Sequence, residues 1–95
     1  MSNSQNPAVA IAWYRREQWP LLRAVSADGD KLEATYDEWH AFATQQVRDL
    51  EARHIRVQKI EVDVGALARW CEREGRVVDG DARAEYARQG IGPPV

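Results

Sequence analysis

The sequence predicts a small α/β domain with the element order β-α-α-β-α-α and a two-stranded sheet, read as parallel, packed with helices. Three observations carry this reading. Residues 8–14, AVAIAWY, are an unbroken apolar run; residues 36–50 repeat apolar side chains at steps of three and four; residues 55–62 are rich in Ile and Val. Ninety-five residues make one domain, expected to span 8–89 with flexible segments at 1–7 and 90–95. Four tryptophans, Trp13, Trp19, Trp39 and Trp70, fall in or beside these segments and sketch the core. A chain this short buries only about two-thirds of its unfolded surface, so each large ring matters.

The first strand carries Val9, Ile11 and Trp13 at odd positions and Ala8, Ala10, Ala12 and Tyr14 at even ones. A strand apolar on both sides is usually covered on both, and the small even side suits a closely packed helix. Arg15 to Trp19 read as a polar turn, and Pro20 sets the backbone for a short helix carrying Leu21, Leu22 and Val25. Asp28-Gly29-Asp30 is a turn. Thr35-Tyr36-Asp37-Glu38 matches the capping box that opens a helix. That helix, about 27 Å over residues 36–53, carries Tyr36, Trp39, Ala43, Val47 and Leu50 on one stripe, with Phe42 widening it. Asp49 and Arg53 stand in the favourable order for a surface pair.

In the second strand, 55–62, the parity slips between Ile55/Val57 and Ile60/Val62. The slip predicts a bulge near Gln58-Lys59, or an exposed edge at which Lys59 discourages further pairing. Asp63 is an N-cap for a helix bearing Val64, Leu67, Ala68 and Cys71 on a stripe, with Trp70 beside it. Gly75 is its left-handed stop. Asp79 caps a last helix through Ala82 and Tyr86. Two strands alone make a poor sheet. Either the helices cover both faces of a minimal pair, or two chains join their sheets.

Composition narrows the function classes. The net charge of -2 gives no global pull toward nucleic acid or anionic lipid. No apolar run approaches a membrane span of roughly 20 residues, and the polar start lacks the pattern of a signal peptide. Cys71 is the single cysteine, so no intrachain disulfide forms, and a cytoplasmic location is expected.

The densest constellation is Trp13, Tyr14, Arg15, Arg16 and Trp19, where the first strand ends. Ligands of α/β proteins sit at strand carboxyl ends. Two adjacent guanidiniums offer forks for phosphate or carboxylate, and Trp19 offers a stacking ring. The competing structural reading has Trp13 in the core, Trp19 wedging the turn, and the arginines paired with the acidic loop of Asp28, Asp30, Glu33, Asp37 and Glu38. That loop lacks the spacing of a calcium site. His40 and His54, about 21 Å apart along one helix, cannot share a metal. His40 reads as solvated, and His54 as a residue at a helix carboxyl end. Cys71 reads as a buried small hydrophobe. No catalytic motif has its spacing here, so no catalytic residue, metal or cofactor is assigned.

The strings YRREQWPLL, TYDEW, VDVGALARWCEREG and DARAEYA resemble those of a family of small uncharacterised bacterial proteins, over about Ile11 to Arg88. The resemblance implies a stand-alone bacterial cytoplasmic protein and carries no activity, cofactor or site residue. The residues themselves favour an interaction or regulatory protein, expected to be a homodimer and to act through its Trp, Tyr and Arg surface, since these types dominate binding hot spots. A nucleic-acid binder stacking bases on the same cluster is the second class. A sensor or enzyme for a small anionic ligand is the third.

Overall fold

The computed structural model describes residues 8–90. Its elements are β1 (Val9–Trp13), α1 (Trp19–Val25), α2 (Tyr36–Ala52), β2 (Val57–Glu61), α3 (Val64–Arg73) and α4 (Gly80–Gln89). Single 3-10 turns occupy Arg16–Gln18 and Gly29–Lys31. The expected order β-α-α-β-α-α is therefore present, and the two strands pair in parallel. Residues 1–7 and 91–95, expected to be flexible, lie outside the described residues. Gly90, placed with them, closes α4: its amide donates to the Ala87 carbonyl at 2.9 Å.

Capping chemistry sets the helix ends. At the start of α2 the Glu38 amide donates to Thr35 Oγ1 at 3.1 Å, and the Thr35 amide donates to Glu38 Oε1 at 3.2 Å. Two otherwise orphaned amides are thus satisfied reciprocally. The Asp63 carboxylate accepts from the Ala66 amide to open α3, and that of Asp79 accepts from the Ala82 amide to open α4. Gly75 ends α3 at φ 68°. The Arg76 amide bonds back to the Cys71 carbonyl and that of Gly75 to the Glu72 carbonyl, the paired bonds of a left-handed stop. The same pair of bonds ends α2, with His54 at the left-handed position (φ 62°). His54 is thus the residue that turns the chain out of the helix. On the α2 surface, the carboxylate of Asp49 accepts from Gln45 at 2.9 Å, while the expected partner Arg53 forms the carboxyl-terminal cap.

The second strand corrects the expected bulge. Register runs without insertion from Val9 opposite Val57 to Trp13 opposite Glu61. Ile55, counted in the strand from sequence, is still part of the α2 exit: its amide donates to the Leu50 carbonyl at 3.0 Å. With Ile55 outside, the parity conflict disappears, and Gln58, Ile60 and Val62 share one side of an ordinary strand.

The sheet is sandwiched, as its two-sided apolar pattern requires. α4 lies on the side of Ala10, Ala12 and Ile60: a Cβ built on Gly90 would come within 2.6 Å of Ile60 Cγ2. α2 meets the other side, where Trp39 touches Trp13. Phe42 stands outside the buried stripe, 53% exposed, while Trp39, Ala43 and Val47 form it. The core gathers beyond the carboxyl ends of the strands, from Tyr14, Trp19, Leu22, Trp39, Val62 and Leu67. Trp70 belongs to the same core and packs against Tyr86, with ring centroids 5.4 Å apart. Cys71 is buried, as its stripe predicted, and burial pushes its thiol up.

One polar staple closes this core. Arg83 on α4 makes a two-pronged contact with Asp28, at 2.8 and 2.9 Å, and donates to Ser26 Oγ at 3.1 Å. The Ala27 amide donates to the Val78 carbonyl at 2.7 Å beside it. Gly29 follows directly, so close to the Arg23 carbonyl that no side chain fits there.

Candidate functional site

The five residues singled out at the end of the first strand stay together in space but divide by depth. Tyr14 and Trp19 are core, 4% and 3% exposed. The Trp19 ring stacks on Trp39 at 5.3 Å, and its Nε1 donates to the Glu33 carbonyl at 3.0 Å. Its face and its polar handle are both taken, so it wedges the turn and offers no stacking surface. Tyr14 lies edge-on to Trp39 at 5.3 Å and near the Arg83–Asp28 pair. Burial pushes its phenol up to about 12, with Arg83 opposing and Asp28 reinforcing the rise. Trp13 is half-buried, and Arg15 and Arg16 are exposed.

Of the acidic-loop residues expected as partners, Asp28, Asp30 and Glu33 do not pair with the arginines, whereas Asp37 does. Arg16 Nη2 donates to Asp37 Oδ1 at 2.7 Å, which holds the Asp37 carboxyl below the usual carboxylate range. Arg15 lies 3.6 Å from Glu17. With its amide turned so that both ends are satisfied, Gln18 accepts from Arg15 at 3.2 Å and donates to the Val62 carbonyl at 2.8 Å. The fork imagined for a free anion is therefore engaged within the protein. Asp28 has Arg83 as its partner because the fold brings α4 beside the turn after α1, a proximity no local spacing announces.

Three residues outside that segment complete the surface: Tyr36 and His40 from α2, and Lys59 from β2. The Arg16 guanidinium lies over the Tyr36 ring at 4.8 Å. The Tyr36 and His40 rings are 5.6 Å apart, and the His40 and Trp13 rings are also 5.6 Å apart. Lys59 Nζ stands over the Trp13 ring at 4.4 Å. The result is a continuous belt, Arg16, Tyr36, His40, Trp13, Lys59, in which basic and aromatic groups alternate. It crosses the carboxyl end of the sheet, the end the parallel pairing also assigns to ligands. Tyr36 is anchored within it: its hydroxyl donates to the Tyr14 carbonyl at 3.0 Å.

The belt is held from below by Trp39, whose ring lies 5.2–5.4 Å from those of Trp13, Tyr14, Trp19 and Tyr36. Offset and edge contacts of this kind add about 0.5–1.5 kcal/mol each beyond area burial. Cations over aromatic faces attract the ring quadrupole while their charges remain solvated. Chemically the surface offers an apolar footing topped by positive groups. Among the described residues Lys59 makes no ion pair, whereas Arg16 does.

Of the added residues, Tyr36 and His40 had a signal in sequence, since a step of four places them on one helix flank. Lys59 had none: only the strand register sets it diagonal to Trp13 on the same side. Among the described residues no three His, Cys, Asp or Glu side chains gather as a metal site, and no helix is long and apolar enough to cross a membrane. No protein-family model, curated protein or solved structure matches this chain.

Proposed function

We propose that this chain is a small non-catalytic interaction protein of the bacterial cytoplasm, and that the belt of Arg16, Tyr36, His40, Trp13 and Lys59 is its partner-binding surface, with Arg15 at its margin. The observation that carries this reading is the alternation of basic groups and aromatic rings across the strand carboxyl ends. Trp, Tyr and Arg are the side chains that anchor protein interfaces. The partner surface that fits is a protein patch joining apolar contact with acidic groups. Nucleic acid fits less well. The net charge is -2, and the Trp13 and Tyr36 rings each have a face covered by the protein's own cation, where base stacking needs an open one.

The test is an affinity capture from cells with the wild type and an Arg15→Gln/Arg16→Gln/Lys59→Gln triple variant. All three side chains are exposed, so the melting temperature is expected to stay within about 4 °C. The variant is expected to lose the protein that the wild type retains, with or without nuclease. Retention by the variant would place the site elsewhere, and a nuclease-sensitive capture would assign it to nucleic acid.

A further inference from the structure

We propose that the outer edge of β1 docks a second copy of this chain, the two β1 strands pairing antiparallel about a dyad at Ile11. This inference does not rest on the belt. The Val9 amide donates to the Arg56 carbonyl at 2.9 Å, and the Val62 amide donates to the Trp13 carbonyl at 3.0 Å. With the parallel register, these bonds turn the odd residues of β1 toward β2 and the N–H and C=O of Ala10 and Ala12 outward. Among the described residues no hydrogen bond reaches those outward groups. The open stretch is bounded at Tyr14, whose carbonyl already accepts from the Tyr36 hydroxyl.

The two sheet edges are not equivalent. β2 turns Val57, Lys59 and Glu61 outward, and the exposed Lys59 and Glu61 are the charges that guard an edge. β1, VAIAW, has no charge, proline or bulge, in a chain that is 29% charged. No residue of either strand is fully buried, although a parallel sheet is normally covered on both faces. The unmet backbone groups call for a strand as occupant, and the β1 sequence is matched to itself. A dyad at Ile11 sets Ala10 opposite Ala12 of the second copy, so four outward-facing hydrogen bonds form. It also sets Val9, 39% exposed, against Trp13 of the second copy, an aliphatic–aromatic pair that stabilises sheets. No like charges meet along the seam. The small Ala10 and Ala12 leave room for α4 on their side. The outcome is a four-stranded sheet, above the three strands at which such layers become independently stable.

Sedimentation velocity from low micromolar to several hundred micromolar tests this. The wild-type mass is expected to rise to twice the monomer value. Ala10→Pro removes an outward N–H that the β1–β2 ladder does not use, and is expected to remain monomeric with an unchanged circular dichroism spectrum. Should that variant unfold, Ala12→Pro serves instead, since it removes the other outward N–H that the β1–β2 ladder does not use. Mild oxidation is expected to cross-link Ile11→Cys, which faces itself at the dyad, and to leave Lys59→Cys uncoupled. A wild type that stays monomeric throughout overturns the proposal, as does a dimer that persists in both edge variants or cross-links through Lys59→Cys alone.

Discussion

Tyr14 shows how one residue serves the core at a cost that pH can reveal. Its ring lies under Trp39 and Trp19, and burial pushes its phenol up to about 12 from 10.0. The unfolded chain releases this proton near pH 10, while the folded one retains it. Stability is therefore complete below pH 10 and declines as pH rises toward 12, by about 2–3 kcal/mol at most. Urea denaturation across that range is expected to show the decline in the wild type and a smaller one in Tyr14→Phe. Equal slopes in the two proteins would show that the phenol is solvated. Trp39 is the other residue on which the site depends, because four rings rest on its indole. Trp39→Ala is expected to cost about 3–5 kcal/mol, read by chemical denaturation, and a loss below about 1 kcal/mol would mean that the pocket collapses freely.

At the scale of elements, α2 holds the belt in place, and its first turn is where belt and cap meet. Thr35 and Glu38 close the capping box, Asp37 pairs with Arg16, and Tyr36 and His40 face the sheet end. Thr35→Ala leaves the Glu38 amide without its partner. It is expected to lower stability by on the order of 1 kcal/mol while the native spectrum is preserved. A helix start that moves in the variant, seen as altered amide exchange at Tyr36 and Asp37, would show that the cap also sets the position of the belt. The surface pair of Arg16 and Asp37 contributes little stability by itself, because both groups are largely in water. Its consequence is geometric: it holds the guanidinium over Tyr36.

For the molecule as a whole, the Asp28–Arg83 pair joins the turn after α1 to the last helix across 55 residues. The two side chains are 27% and 12% exposed, so the pair is partly shielded and its hydrogen bonds are two-pronged. The bonds from Arg83 hold the Asp28 carboxyl below the usual carboxylate range, against the opposing effect of burial. Folded Asp28 thus keeps its charge in mild acid where the unfolded chain, near pH 3.9, takes up a proton. This contribution is complete above that pH and is lost as pH falls through the folded value. Asp28→Asn is expected to cost about 1–2 kcal/mol at neutral pH. The gap to the wild type should narrow below about pH 4, measured by denaturation at both pH values. A gap that is constant with pH would assign the loss to packing and not to charge.

Local order was legible in the sequence, because it depends on neighbours a few residues apart. The capping box at Thr35, the caps at Asp63 and Asp79, the stop at Gly75 and the buried stripe of Trp39, Ala43 and Val47 all follow from such spacings, as does the order of strands and helices. The depth of Tyr14 and Trp19 did not, because an apolar run and a turn rich in aromatics look the same whether their rings point inward or out. The apparent slip in the second strand had a similar origin, since only the hydrogen bond from Ile55 to Leu50 shows where α2 releases the chain. Of the candidate site, Trp13 and Arg16 were legible as members. Lys59 joins them through strand register, and Arg83 takes Asp28 from the expected arginines through the packing of α4. These are contacts between residues 46 to 55 positions apart. Spacing along the chain determines which groups can cap, turn and bury locally, whereas the pairing of distant charges and rings is decided only when helices and strands close around one core.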